Sequence, residues 1–258
     1  MDPSIRDDMH QNSIHGLSAV GRALPGATVA RLGPWLLFDS GVEGADFNQA
    51  LVARPVEDPT AAVELAEAWY RARGTEFALW LRDPHDLPLL KVAKTAGYSG
   101  EPPEPAMLLD SLPVAPLAVR GLHVSLVTGP EGAAAYADAD AEEAERHGAR
   151  RDPSEALAGA VSQVPGIQLF VGYSGGVPVA RSMVVVSGRM AGITNVYVAP
   201  SMRRRGFGAA MTSVAAAAGR QLGATAACLE ASEMGLPVYE RMGFRTIYNY
   251  VRLTPPAG

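Results

Sequence analysis

The chain has 258 residues, of which 48% are apolar and 19% charged, with a formal net charge of −5. That mixture builds an ordinary globular core and excludes disordered or collagen-like chains, and the length gives between one and two domains. A single cysteine, Cys228, excludes a disulfide framework and a cysteine-rich zinc site, and the acidic balance argues against wholesale phosphate-backbone binding.

The first half opens with a helical pattern over residues 4–23, with Ile5, Met9, Leu17 and Val20 as core positions. Strands follow at Thr28–Leu32, Trp35–Phe38 and Phe47–Ala53. Residues 60–72 form an amphipathic helix with Thr60 at its N-cap and Val63, Leu65, Ala66, Trp69 and Tyr70 on the apolar side. A strand at Glu76–Leu81, a helix at Asp86–Ala96 and a strand at Ala106–Leu109 complete this half. Gly100–Pro105 reads as a loop, and the proline-bearing stretch Pro113–Pro116 as a linker.

The pattern then restarts. A strand at His123–Val127 precedes helices at about 130–147 and 153–163. Strands Ile167–Tyr173 and Val177–Val186 are joined at Ser174-Gly175-Gly176, a hairpin signal. Strand Ile193–Val198 leads to a helix over Gly206–Leu222, with Phe207, Met211, Val214, Ala215, Ala218 and Leu222 on one face. Strand Thr225–Ala231, short helix Leu236–Met242 and strand Phe244–Leu253 end the chain.

The two halves match. Asn48 to Pro55 resembles Asn195 to Pro200, and Gly97-Tyr98 resembles Gly243-Phe244 at nearly the same offset. The spacing predicts a tandem repeat: residues 1–112, a linker at 113–119, and residues 120–258. The expected class is α/β with a mixed sheet, two similar halves each having a mostly antiparallel sheet flanked by helices.

The strongest chemical signal follows the Val196–Val198 strand, in Arg203-Arg204-Arg205-Gly206-Phe207-Gly208-Ala209. Unpaired N–H groups at a helix start make an anion site, and glycines let a bulky diphosphate approach the backbone. Arginines add bidentate donors. Ala209-Ala210 stand where a P-loop needs Lys-Ser/Thr, and the third glycine of a dinucleotide fingerprint is missing. The plainer reading is a glycine-eased helix start beside a solvated arginine run.

Arg203-x-x-Gly206-x-Gly208 after that strand resembles the acyl-CoA loop of the GCN5-related N-acetyltransferase (GNAT) superfamily. Pro237 to Phe244 resembles that family's late helix-to-strand segment. The resemblance covers roughly residues 120–255. It implies acetyl-CoA as cosubstrate, held by the backbone of Val196, Tyr197 and Val198, by Arg203, and by the segment Arg204, Arg205, Gly206, Phe207, Gly208 and Ala209. It implies Tyr239 as proton donor to the departing thiolate and Glu230 as general base, with Asn195 and Ser232 as substrate contacts. Ser232 read plainly caps the following helix. The first half has Val56-Glu57-Asp58-Pro59 in place of the loop, and so resembles a degenerate copy. The family's usual asparagine between the Glu230 strand and the Tyr239 helix is missing.

The implied activity is N-acetylation of a primary amine on a small molecule or peptide by direct attack in a ternary complex. A non-catalytic acyl-CoA sensor is the alternative, favoured by the lack of a carboxylate on Ile193–Val196. The first half would wall the acceptor pocket or form a homodimer contact. Gly172-x-Ser174-x-Gly176 matches the serine-hydrolase string, but all five histidines precede Ser174, against the order of that triad. The histidines have no metal spacing, so no metal is expected. The acidic run Asp138–Glu145 reads as a solvated helix face, and Cys228 as a small buried strand residue. No apolar run reaches the ~18 residues of a membrane helix, and Met1-Asp2-Pro3-Ser4 does not open a signal peptide. A cytoplasmic protein with no membrane or nucleic-acid partner is the expectation.

Overall fold

A computed structural model describes residues 3–100, 102–142 and 154–256 of the protein. The first half runs α1 (Pro3–Ala23), β1 (Thr28–Leu32), β2 (Trp35–Asp39), β3 (Gln49–Val52), α2 (Pro59–Arg71), β4 (Ala78–Asp83), α3 (Leu87–Thr95), β5 (Ser99–Gly100) and β6 (Glu104–Leu109). The second runs β7 (His123–Leu126), α4 (Gly129–Asp138), α5 (Ser154–Val161), β8 (Ile167–Ser174), β9 (Val177–Ser187), β10 (Met190–Val198), α6 (Phe207–Gln221), β11 (Ala226–Glu230), α7 (Leu236–Arg241) and β12 (Arg245–Thr254).

All strands join one 12-stranded mixed sheet, ordered β1-β2-β3-β4-β12-β6-β11-β10-β9-β8-β7, with β5 on β12. Only β3–β4 and β10–β11 are parallel, one such pair in each half. The last strands are exchanged: β12 lies between β4 and β6, and β6 between β12 and β11. Each exchanged strand leaves its helix through the same turn. Gly97 (φ 88°) and Gly243 (φ 92°) close α3 and α7, with Tyr98 N–H on Ala93 O and Phe244 N–H on Tyr239 O, both at 3.0 Å. This is the Schellman pattern, and it buries Tyr98 and Phe244 against the helix just ended. Separating the halves therefore means breaking backbone ladders as well as apolar contacts.

Alternation along the strands sorts the core into two layers. Leu79, Leu81, Met107, Ala227 and Leu229 face α2, α3 and α6. Trp80, Ala106, Leu108, Ala226 and Cys228 face α1, and α4 and α5 cover the same side beyond it. On α1, Ile5 and Met9 are buried as expected, but so are His10, Asn12, Ile14 and Ser18. The helix lies over the middle of the sheet and so buries more than one stripe. On α6, Leu222 is exposed, contrary to expectation. It is the residue capping the helix end.

The stretch read as a loop at Gly100–Pro105 is partly strand. Ser99–Gly100 pairs with β12, and β6 starts at Glu104. Pro105 has no N–H to give, but its carbonyl accepts Ala231 N–H at 2.9 Å. Residues 110–122 contain no helix or strand. They run along α6, where Leu117 N–H donates to Ser213 Oγ at 2.9 Å and Arg220 to Leu112 O at 3.3 Å.

Asn48, fully buried before β3, holds the β2–β3 connection together. Its amide oxygen accepts Ser40 N–H at 2.9 Å, and its amide nitrogen donates to Val42, Gly44 and Glu76 carbonyls at 2.9–3.0 Å. Asn48→Ala leaves the buried Ser40 N–H without its acceptor and removes the three bonds that hold Val42, Gly44 and Glu76 together. Chemical denaturation should show a loss of about 3 kcal/mol, whereas a loss below about 1 kcal/mol would mean the connection is held by other contacts.

Candidate active site

The site starts where two parallel strands part. β10 pairs with β11 only at Met190, Ala191 and Gly192, while β11 stays with β6 as far as Glu230. Beyond Gly192 the β10 edge facing β11 has no partner strand among the described residues. On its other edge β10 follows β9 through a bulge between Thr194 and Tyr197, where Asn195 is exposed with φ 53°. A bulge bends and twists a strand, and here it carries β10 away from β11.

After β10 the chain makes a 3-10 turn at Pro200–Met202, passes Arg204 (φ 63°) and reaches Gly206 (φ 82°) before α6 begins. Gly206 sits in the left-handed region where a Cβ is unfavourable. Among the described residues, no backbone N–H from Arg204 to Ala209 has a hydrogen-bond acceptor. Six donors without an acceptor thus lie at and just before the positive end of a 15-residue helix, an arrangement suited to an anion. A Cβ built on Gly208 has Val198 as its only near neighbour, at 3.9 Å, so the approach to the backbone is open.

The arginines divide the work. Arg203 Nε donates to Val198 O at 3.1 Å, and its guanidinium lies 5.9 Å from the Tyr197 ring centre. It closes the turn. Arg204 and Arg205 are exposed. Glu142 braces the turn from outside, accepting Ser201 N–H at 3.2 Å and Ser201 O–H at 2.7 Å. Asp140 pairs with Arg181 at 2.8 Å. These two members of the acidic run are therefore engaged by the protein. Glu143–Glu145 lie outside the described residues.

The matching place in the first half is filled. Asp58 accepts Thr60 and Ala61 N–H at 2.9 and 3.1 Å, and Pro59 at the start of α2 has no N–H. A carboxylate already occupies the donors an anion would need.

Tyr239 on α7 is buried against α6, and its ring lies 5.9 Å from Phe244. Burial raises its pKa, opposed by a hydrogen bond with Thr212 of α6. Thr212 in turn donates to Gly208 O at 2.9 Å, linking the tyrosine to the first turn of the loop helix. Ser232 Oγ accepts Gly235 N–H at 3.2 Å. It bonds the turn before α7, whose N-cap is Gly235 with no side-chain cap bond.

Glu230 faces the other side of the sheet, toward α1. There a cavity of about 210 Å³ opens, lined by Asn12 and Ser13 of α1, Leu51 of β3, Trp80 of β4, Glu230 of β11 and Tyr250 of β12. Burial, then the neighbouring Glu104 carboxylate, push the Glu230 carboxyl up to about 7, against a hydrogen bond from Ser13. Ser13 Oγ donates to Glu230 Oε1 at 3.3 Å. Tyr250 is fixed from behind. His10 Nε2 lies 2.6 Å from Val52 O, so it carries the proton, and His10 Nδ1 accepts Tyr250 O–H at 2.7 Å. Burial lowers the His10 pKa to about 4, which keeps the imidazole neutral. Sequence reasoning had no signal for Ser13, Trp80 or Tyr250 here. They come from three elements distant along the chain.

Gly172-Tyr173-Ser174-Gly175-Gly176 is a hairpin between β8 and β9, with φ 59° and 84° at Gly175 and Gly176. It lacks the strand–turn–helix a nucleophile elbow requires. Cys228 is buried, and burial pushes its thiol pKa up. Among the described residues, no His/Cys/Asp/Glu group is arranged to hold a metal, and no helix is long and apolar enough to cross a membrane.

Residues 165–246 match the family model for the acetyltransferase (GNAT) domain. That span includes the whole of β10, the loop, Glu230 and Tyr239. Comparison with curated proteins found no match. Among solved structures, the chain resembles a GCN5-related N-acetyltransferase from Kribbella flavida at 21% identity, covering 97% of this chain and 96% of that one, with TM-score 0.73. It also resembles a tandem GNAT protein from the clavulanic acid biosynthesis pathway at 14% identity, over 96% and 94% of the two chains, with TM-score 0.63. A third, from Sphaerobacter thermophilus, is 16% identical over 86% and 80%, with TM-score 0.57. These likenesses establish the fold: a mixed sheet flanked by helices. The family match is confined to residues 165–246 of the second half, which carry a GNAT acetyltransferase domain by that comparison.

Proposed function

We propose that the protein is an acetyl-CoA-dependent N-acetyltransferase that moves an acetyl group to a primary amine in a ternary complex. The observation that carries this reading is the row of acceptor-free amides from Arg204 to Ala209, which follows the stretch of β10 that has left β11. The amides suit the diphosphate of CoA. The stretch of β10 beyond Gly192, where it has left β11, suits the amide-bearing pantetheine arm, which adds to it as a strand would. Tyr239 lies on the loop side of the sheet and Glu230 on the α1 side, so the gap between β10 and β11 joins a coenzyme face to an acceptor face.

In this reading the amine nitrogen attacks the thioester carbonyl. A C–N bond forms and the C–S bond breaks. The ammonium proton goes to the Glu230 carboxylate, whose raised pKa suits it to the task, and the thiolate takes a proton from Tyr239. Holding both reactants together supplies much of the acceleration. Residues 120–258 form the coenzyme-binding domain and residues 1–112 a copy without a working loop, linked by 113–119. Asp58 and Pro59 support the loss of the first loop. The single buried cysteine supports a cytoplasmic setting.

Tyr239→Phe tests the reading. Turnover with an amine panel should fall at least about 10²-fold, while acetyl-CoA affinity measured by calorimetry stays unchanged. Acetyl-CoA binding without transfer to any amine would instead identify an acyl-CoA sensor, and failure of acetyl-CoA to bind at millimolar concentration would sink the proposal.

A further inference from the structure

The cavity below Glu230 has a chemistry that selects among amines, and the argument here rests on the transferase reading above. Its walls are mainly apolar: Leu17 and Val20 of α1, Leu51 of β3, Trp80 of β4, and Met183 and Ile193 from the second half. Among the described lining residues, Glu230 is the only carboxylate and none is Lys, Arg or His. A carboxylate or phosphate on the acceptor would meet no counter-charge there and would be repelled by Glu230. Glu104 neighbours Glu230 without lining the cavity, so a second ammonium would find no second carboxylate in the cavity wall. The cavity, of about 210 Å³, has room for a compact apolar body.

We infer that the acceptor is a small monocationic amine with an apolar body, an alkylamine or arylalkylamine without an anionic group, whose ammonium meets Glu230 while its body packs on Trp80 and Leu51. The half without a coenzyme loop then sets specificity, because Leu51 and Trp80 belong to it. The exchange of the final strands explains the placement. β12 carries Tyr250 to the cavity beside β4, and β6 stays at the flank of Glu230. The first half is thus built into the acceptor wall.

Phenethylamine, phenylalanine, spermidine and a lysine-containing peptide distinguish the classes. Calorimetry without coenzyme reads the cavity independently of acetyl-CoA, which is titrated separately. Phenethylamine should bind at least tenfold more tightly than the other three. Glu230→Gln, a near-isosteric change, should weaken it at least tenfold while acetyl-CoA affinity holds. Val20→Phe, which fills the cavity from α1, should abolish amine binding in a protein that still melts cooperatively. Phenethylamine binding no better than phenylalanine, spermidine or the peptide, or not binding at millimolar concentration, overturns the assignment. So does binding indifferent to Glu230→Gln. Loss of acetyl-CoA binding with phenethylamine binding intact would instead refute the transferase reading.

Discussion

Glu230→Gln should slow acetyl transfer by about 10²–10⁴-fold and at the same time stabilise the protein at alkaline pH. Both effects come from one fact: burial and Glu104 hold the Glu230 carboxyl at about 7, above its usual range near 4.3. Between those values the folded chain binds a proton that the unfolded chain has released. Stability therefore falls as pH rises from about 4.3 to 7, and the penalty is complete above that. Glutamine carries no such penalty, and its carbonyl still accepts the Ser13 hydroxyl. Melting temperatures at pH 5 and pH 8.5 should show the variant's advantage growing with pH. In the wild type, kcat/KM should rise with pH through about 7 as the carboxylate forms. A variant with no greater relative stability at pH 8.5 than at pH 5 would mean that Glu230 titrates normally.

Gly192→Ala should cost about 3 kcal/mol or more. Gly192 is the last β10 residue paired with β11, and a Cβ there runs directly into Asn12 Oδ1. Asn12 is buried, and its amide nitrogen donates to Val185 O at 3.0 Å and Met190 O at 3.2 Å. Those bonds tie α1 across β9 and β10 at the point where the strands part. The alanine methyl pushes Asn12 away and leaves both carbonyls unpaired, or else displaces α1 with its cavity residues. Urea denaturation measures the loss. Asn12→Ala combined with Gly192→Ala should cost clearly less than the sum of the two single changes, because the second change removes the clash. Strict additivity would show that the two residues do not meet.

Much of this was legible in one dimension because the signals are local. The β10–turn–α6 unit announces itself through Gly206 and Gly208, whose backbone needs lie within a few residues of each other. The likeness of Gly97-Tyr98 and Gly243-Phe244 is local too, because both pairs end a helix with the same turn. The reading of Gly100–Pro105 as a loop failed because a proline there normally interrupts a ladder. It could not reveal that Pro105 still contributes its carbonyl beside β11.

The amino-acid order by itself determined most element types and the helix start at Gly206, since each depends on backbone propensity over a handful of residues. Tertiary structure alone decided that β6 and β12 exchange places, that Asn12 fastens α1 at Gly192, and that Ser13, Trp80 and Tyr250 surround Glu230. Those contacts join residues far apart in the chain. They depend on strand register and on the packing of one helix across a sheet, which no local pattern encodes.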